Sequence, residues 1–340
     1  MRRPWALPLV PLYWCGLRVK NALYGWGRLR VKRLASPVLS VGSLSAGGAG
    51  KTPVVMMLAE LLGRHGVGVD VLSRGYGRGS GVVEEVDAEG SASRFGDEPL
   101  EMARRGLRVV VGADRWAAGK FAEPEREQKI NTVATEEKTQ RSLRVAVHVL
   151  DDGFQHRRLA RDLDLALLTT EDVGDWLLPA GNLREPMAAL ARAHVVVVRD
   201  EEASELAGVI AANTEADVWM VRRELVLPVE RPQRSVVFCG IARPKSFLAM
   251  LRQAGCATAG EIVFPDHHAY TSEHFDLLID AAAHAGADGF LTTAKDAVKI
   301  PPEERMKLEK IGPVIVAALR VTLVDEDAAM KTLRRSLRLA

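Results

Sequence analysis

Apolar residues fall along this chain in short continuous runs, separated by longer stretches of helical period. Runs such as "LRVVVG" and "HVVVVR" read as strands buried on both faces of a parallel sheet. The pattern predicts strands over 37–43, 68–73, 107–112, 144–150, 163–168 and 194–199. A second series follows over 235–240, 260–264, 288–292 and 313–317. Alternation of strands with helices implies βαβ units and a doubly wound architecture, here in two successive α/β layers.

Between the two series, "DVWMVRRELVLPVERPQRS" alternates apolar and polar positions, carries Pro228 and Pro232, and reads as an extended linker. "ALRVTLVDED" near the end has the same character, so the two can pair as a two-stranded connection. Residues 325–338 then read as a helix packing back on the first domain. The domains expected are a segment 1–35, a first α/β domain 36–222, a linker 223–234, a second α/β domain 235–318, and a return strand and helix 319–340. The polar stretch 123–142 has little periodicity and reads as a solvent-exposed insertion.

The first strand runs into "SLSAGGAGKTP", where a glycine-rich turn precedes a helix start. Gly50, Lys51 and Thr52 match the end of a G-x-x-x-x-G-K-[ST] phosphate loop, but its first glycine position holds Ser45. Context favours the loop all the same. Pro53 suits the first turn of a helix, and a strand–loop–helix aims free N–H groups and the positive helix end at an anion. Gly47, Gly48 and Gly50 let the backbone wrap a phosphate, so Ser45 costs little. The nucleotide loop therefore comprises Ser45, Ala46, Gly47, Gly48, Ala49, Gly50, Lys51 and Thr52, with Lys51 reaching the β/γ-phosphates of a nucleotide and Thr52 offering its hydroxyl to Mg²⁺. "RVAVHVLDDGFQHRRL" ends a second strand in Asp151 and Asp152, where an acid holds or orients Mg²⁺; capping is the plainer alternative.

Charge sharpens the picture at one end. Of a net charge of +2, residues 1–33 supply eight Lys or Arg with no acid, leaving −6 for the rest. Trp5, Tyr13, Trp14, Tyr24 and Trp26 also cluster here, half of the chain's Trp and Tyr. Amphipathic rings and basic residues suit a segment lying on anionic lipid; a helix packed on the body is the competing reading. The asymmetry points to a local anionic partner and away from nucleic acid. No apolar run of 18 residues predicts a spanning helix. Cys15, Cys239 and Cys256 are too scattered for a disulfide framework or a metal site and suit a reducing compartment.

Four further clusters bring chemistry to loops. These are "SRGYGRGSG" with Arg74 and Tyr76, "FGDEPLEMARR" with Asp97 and Glu98 ahead of a helix, "PAGNLREP" with Asn182, Arg184 and Glu185, and "VFPDHHAYTSEHF". Each has a plain reading as a flexible loop, a cap or a solvated turn. In the last, Asp266, His267 and His268 precede a helix capped at Thr271 or Ser272. A carboxylate beside an imidazole can act in proton transfer, and the spacing is a poor one for zinc.

Together the pieces "SVGSLSAGGAGKTP", "SRGYGR", "GDEP", "LDDGFQHRRLARDLDL", "LPAGNLREP", "FPDHHAY" and "TTAKDAVK" run in order through the chain. In this the sequence resembles the tetraacyldisaccharide 4′-kinase family, the lipid A 4′-kinases of Gram-negative bacteria, whose loop also lacks the first glycine. The resemblance implies a P-loop NTPase-like α/β/α sandwich with a second, smaller α/β/α domain on a two-stranded linker. It implies ATP-dependent phosphorylation of the 4′-hydroxyl of a tetraacylated glucosamine disaccharide 1-phosphate to give lipid IVA, by a peripheral protein on the cytoplasmic face of the inner membrane. It implies Asp97 as the base at the acceptor hydroxyl with His267 as its partner from the other domain. Asp151, Asp152 and Glu185 become metal- or phosphate-organising residues, Arg184 a transition-state or substrate-phosphate contact, and Arg74 and Tyr76 contacts to the disaccharide, with Asn182 nearby. The chain departs from the family in its insertion near 123–142 and in Ala294, where an acid is common.

Two other classes of nucleotide-binding protein share part of this pattern. Membrane-associated partitioning ATPases carry a K-G-G-x-G-K-T loop, and Ala46 stands where that lysine belongs. GTPases read guanine with N-K-x-D, which "TAKD" does not supply.

Overall fold

The computed structural model describes residues 2–123 and 146–339. The insertion expected over 123–142 falls, but for Glu123, outside the described residues.

The first series of runs forms β1 (Val38–Ser43), β2 (Gly68–Ser73), β3 (Glu84–Glu85), β4 (Arg108–Val111), β5 (Ala146–Asp151), β6 (Leu163–Leu167) and β7 (Val195–Arg199). After β8 (Asp217–Val226), the second series forms β9 (Ser235–Cys239), β10 (Thr258–Val263), β11 (Gly289–Thr293) and β12 (Val314–Leu323). The strands join in one sheet in the order β10-β9-β11-β12-β8-β7-β6-β1-β5-β2-β4-β3. Pairing is parallel except for β3 with β4 and β12 with β8.

The two extended segments do pair, from Ala318 opposite Val226 to Leu323 opposite Val221. The segment read as a linker is more than a connector, however. Its first half lies parallel to β7, Val195 opposite Asp217 through Arg199 opposite Val221. The sheet is therefore continuous through both lobes. The alternation of "DVWMVRRELV" is that of a strand with one buried face: Trp219 and Val221 are buried while Val218 and Met220 are exposed.

Helix Lys51–Arg64 packs Val54, Val55, Leu58, Leu61 and Leu62 into the first-lobe core with Leu39 and Val41 of β1. The last helix, Glu326–Leu337, returns to the same core through Ala329, Met330, Leu333 and Leu337. Its N-cap is Asp325, which accepts a hydrogen bond from the Ala328 N–H at 2.8 Å. A separate core of Val236, Phe238, Phe275, Leu278 and Phe290 holds the second lobe.

β1 lies between β5 and β6, so the chain leaves it in one direction and later returns on the other side. In open α/β sheets, ligands bind at such a switch point beyond the C-terminal strand ends. A cleft of about 740 Å³ opens there. Its floor is formed by Val221, Arg223, Leu225, Leu319 and Val321 of the β8–β12 connection, and its walls come from both lobes.

The N-terminal segment is a turn of helix over Pro4–Leu9 and a helix over Val10–Gly25, with no buried residue in the latter. It docks on the body through the Arg3 N–H to Ala180 O at 2.6 Å, Tyr13 Oη to Arg184 O at 2.8 Å, and Arg157 Nη1 to Asn21 Oδ1 at 3.0 Å. Trp5, Leu12 and Trp26 stay more than two-thirds exposed. Among the described residues no helix is long and apolar enough to cross a membrane.

Candidate active site

The phosphate loop leaves β1 and enters helix Lys51–Arg64 through Gly50, which sits at φ +83. Gly48 is also left-handed, at φ +73, a conformation that costs glycine nothing. A side chain at Gly48 would come within 2.6 Å of the Arg243 guanidinium stem, which crosses from the second lobe. Gly47 has no positive φ, so the loop's curvature rests on Gly48 and Gly50. Ala46 through Thr52 line the cleft; Ser45 does not, and lies 2 % exposed behind the loop.

That backing explains "PAGNLREP". The Ala46 N–H donates to Asn182 O at 2.8 Å and the Arg184 N–H to Leu44 O at 2.7 Å, with Ser45 bridged to Leu183. Asn182 itself is fixed by Asp175, which accepts from its backbone N–H at 3.1 Å and its side-chain amide at 3.2 Å. Asn182 therefore props the loop and does not line the cleft. Glu185 is likewise kept from the cleft. Both oxygens of the buried Glu185 are taken by Arg192, at 2.7 and 2.9 Å, in a bidentate pair. The sequence reading that grouped Glu185 with the metal-organising acids is corrected in this respect: its neighbour's turn aims it into the body.

Lys51, Asp152 and Arg184 form one charged set. Lys51 Nζ lies 3.3 Å from Asp152 Oδ1 and donates to Ser43 Oγ at 3.3 Å. Arg184 Nη1 donates to both Asp152 oxygens, at 2.9 and 2.7 Å. Burial opposes ionisation of Asp152, but Lys51 and Arg184 more than offset it and hold the carboxyl below its usual range. Asp152 takes φ +50, a strained conformation for a residue with a side chain.

Asp151 is different. Its Oδ2 accepts from Ser73 Oγ at 2.9 Å, while Oδ1 is buried without a partner. Burial, with Glu98 and Asp152 adding their charge, pushes it up to about 7. A buried carboxylate with an orphan oxygen among other acids fits a cation beside Thr52, which also lines the cleft. Among the described residues no group of three or more His, Cys, Asp or Glu side chains is arranged to hold a metal.

The facing wall is built from both lobes. Asp97 opens helix Asp97–Arg104 and is 7 % exposed. His267 Nδ1 lies 3.0 Å from Asp97 Oδ2 and 3.3 Å from Oδ1, across 170 residues of sequence. Burial pushes Asp97 up, but the His267 hydrogen bond and the charges of Lys295 and Lys299 outweigh it and bring the carboxyl down to about 2. The hydrogen bond that His267 donates to Asp97 raises the imidazole against the opposing effects of burial and Lys295. His267 is strained too, at φ +58. Tyr76, 67 % exposed, sets its ring 5.2 Å from that of His267, and Arg74 lines the cleft beside it. His268 turns away to stack on Phe264, and Thr271 caps the helix Ser272–Ala285.

Several further charged groups line the cleft. Lys295 lies 3.1 Å from Asp266 and 3.4 Å from Glu98. Burial pushes Glu101 up to about 7 against the pull of Arg105. Arg115 is 4 % exposed, and burial drops it to about 10 although Asp151 and Asp152 oppose the change. Arg243 pairs with Glu171 at 3.0 Å. Lys295 had a local signal, in "TTAKDAVK"; Arg115 and Arg243 sit in stretches with none.

A glycine-rich phosphate loop at a switch point, facing an Asp–His pair across a two-lobed cleft, defines a P-loop phosphotransferase. Residues 3–338 match the family model of the tetraacyldisaccharide-1-P 4′-kinases, LpxK. A tetraacyldisaccharide 4′-kinase of Koribacter versatilis is 39 % identical over 95 % of this chain and 96 % of its own. One of Geobacter metallireducens is 39 % identical over 92 % of each. A crystal structure of LpxK from Aquifex aeolicus in complex with ATP superposes with a TM-score of 0.73 at 32 % identity, covering 98 % of both chains. This chain belongs to the tetraacyldisaccharide-1-P 4′-kinase family, and the partitioning-ATPase reading is set aside.

Proposed function

We propose that the chain transfers the γ-phosphoryl group of ATP to the 4′-hydroxyl of a tetraacylated glucosamine disaccharide 1-phosphate, at the cytoplasmic surface of the inner membrane. The observation that carries this reading is that Lys51 of the phosphate loop and the Asp97–His267 pair line one cleft from opposite walls.

In the reaction the phosphate loop cradles the ATP phosphates with its N–H groups. Lys51 and Arg184 neutralise charge on the transferring group, and the latter is aimed by Asp152. Thr52 and Asp151 are the residues to hold Mg²⁺, which when bound neutralises charge on the phosphate oxygens. Asp97 accepts the proton of the 4′-hydroxyl as its oxygen bonds to the γ-phosphorus and the bond to the ADP oxygen breaks. His267 orients Asp97 and stabilises its charge. Because the pair spans the lobes, the proton acceptor is complete only when they meet, which also keeps water from ATP. Arg74 and Tyr76, exposed beside the pair, are placed to meet the sugar.

The N-terminal helix is read as the membrane contact. Its exposed Trp5, Leu12 and Trp26, with the basic residues around them, suit the headgroup layer. This brings the cleft to an acceptor anchored by its acyl chains.

The test supplies purified protein with labelled ATP and the lipid disaccharide in mixed micelles. Label on the 4′-position of the lipid is expected. Hydrolysis of ATP with no label in the lipid would overturn the proposal.

A further inference from the structure

The stretch "TTAKDAVK" supplies a second residue behind Asp97. Asp296 is fully buried at the base of the second lobe. Its Oδ2 accepts from the Gly240 N–H at 2.9 Å and from Thr293 Oγ1 at 2.7 Å, which ties it to the ends of β9 and β11. Its Oδ1 accepts from Lys299 Nζ at 3.0 Å.

Lys299 is 9 % exposed at its side chain. Its ammonium group also donates to His268 O at 3.3 Å and lies 3.5 Å from Asp97 Oδ2. Three N–H directions thus meet three oxygens, two from the second lobe and one from the first. A lysine in solution loses side-chain entropy when held in this way; here Asp296, itself immobile, holds it.

We propose that Lys299, anchored by Asp296, is a positioning residue for the phosphoryl transfer: it clamps one oxygen of Asp97 when the lobes meet and leaves the other for the acceptor hydroxyl. The proposal rests on the reading of Asp97 as the base. Two observations separate Lys299 from the substrate-facing groups. It does not line the cleft, whereas Lys295 does. Its contact falls on Oδ2, the oxygen closer to His267, so Oδ1 keeps only the longer 3.3 Å contact. An oxygen less encumbered is the better proton acceptor, and the clamp sets which one that is.

The groups facing Asp97 define what removal of Lys299 exposes. From the second lobe these are His267, Asp266 and Lys295; from its own helix they are Glu98 and Glu101. Lys295, which also pairs with Glu98 and Asp266, and the His267 hydrogen bond still act on Asp97 when Lys299 is gone. Without Lys299, burial is opposed by one cation fewer, and the Asp97 carboxyl moves back up from its depressed value.

The experiment compares wild type, Lys299→Met and Lys299→Arg in kcat, KM for ATP and the pH dependence of kcat, with melting temperatures alongside. Lys299→Met is expected to lower kcat about 10–100-fold with KM for ATP unchanged, since misplacement of a reacting group acts on turnover. The acid limb of its kcat profile moves up by about one pH unit or more, as for a carboxylate that loses a neighbouring cation. Lys299→Arg restores both. If Lys299→Met fails to fold, Lys299→Gln, a neutral donor, reads the same limb. An acid limb that stays in place in the neutral variant overturns the proposal, whatever happens to the rate. Asp97→Asn separates this from the reading beneath it. Full turnover in Asp97→Asn removes the base assignment itself, whereas an inactive Asp97→Asn beside an unaltered Lys299→Met removes only the clamp.

Discussion

The two walls of the cleft are built in different ways. The phosphate-loop wall is local: β1, its loop and its helix lie within residues 38–64, and the strand end bearing Asp151 and Asp152 pairs directly with β1. The opposite wall is assembled at long range. Asp97 starts a first-lobe helix, while His267, Lys295 and Lys299 come from two second-lobe segments that reach it across the β8–β12 connection. The first wall is complete within one lobe. The second exists only while the lobes are in register, which ties proton transfer to closure.

The sharpest break in this comparison is at the local wall. Lys51→Ala is expected to lower turnover by about 10³-fold or more, because loop charge acts directly on the transferring group. Its melting temperature should change little, since Lys51 contributes one ion pair to Asp152 and one long hydrogen bond to Ser43 and no apolar packing to the core. Near wild-type turnover in purified protein would remove the loop from the chemistry.

At the long-range wall, Asp97→Ala and His267→Ala should each cost about 10²–10⁴-fold while nucleotide binding persists. Groups that act as one unit are not additive, so the double variant should be little worse than the poorer single one. Fully multiplicative losses in this cycle would show that the two act separately.

The N-terminal helix meets the phosphate-loop side of the cleft where Tyr13 Oη donates to Arg184 O. Deleting residues 2–20 should release the protein from anionic vesicles, with flotation as the readout. Tyr13→Phe leaves the lipid-facing surface intact and removes the hydrogen bond, worth about 1 kcal/mol. It should lower turnover several-fold with flotation unchanged; equal flotation losses in both would assign Tyr13 to the membrane and not to Arg184.

A pH series sharpens the interlobe pair. Asp97 is depressed to about 2, so its contribution is present above the ordinary carboxyl value of 3.8 and is lost only as pH falls towards about 2. His267 is raised above 6.5, so its contribution is full below that value and fades as pH rises through the raised one. The melting-temperature difference between wild type and His267→Ala should therefore be largest near pH 5–6 (about, from this window) and shrink in alkali. A difference that grows with pH would refute the charged pair.

The smallest effect lies outside both walls. Asp325→Ala removes the cap of the last helix and should destabilise the protein by about 1 kcal/mol, seen in denaturant melts, with turnover unaltered.

Much of this was legible in one dimension. Buried parallel strands declare themselves as apolar runs because both faces are covered, and the ten runs predicted all appear as strands. The phosphate loop was legible despite Ser45, because strand, glycines and GKT are contiguous. The short β3, with two residues, carries no periodicity to find. The alternation over 217–226 is that of an extended strand and gives its pairing with β12, but not its parallel pairing with β7, which is a matter of tertiary placement.

Local chemistry, then, belongs to the sequence: which segments are strands, where a phosphate can be cradled, and which short stretches hold acids and imidazoles. The partners of those groups belong to the tertiary structure. Glu185 and Asp151 are alike as acids at loops, but a bidentate arginine closes off the first, and burial leaves the second with an open oxygen. Asp97 and His267 lie 170 residues apart and meet at 3.0 Å only because one continuous sheet carries both lobes. A side chain's charge state depends on what lies within a few ångströms, and that distance is set by packing, which no local pattern encodes.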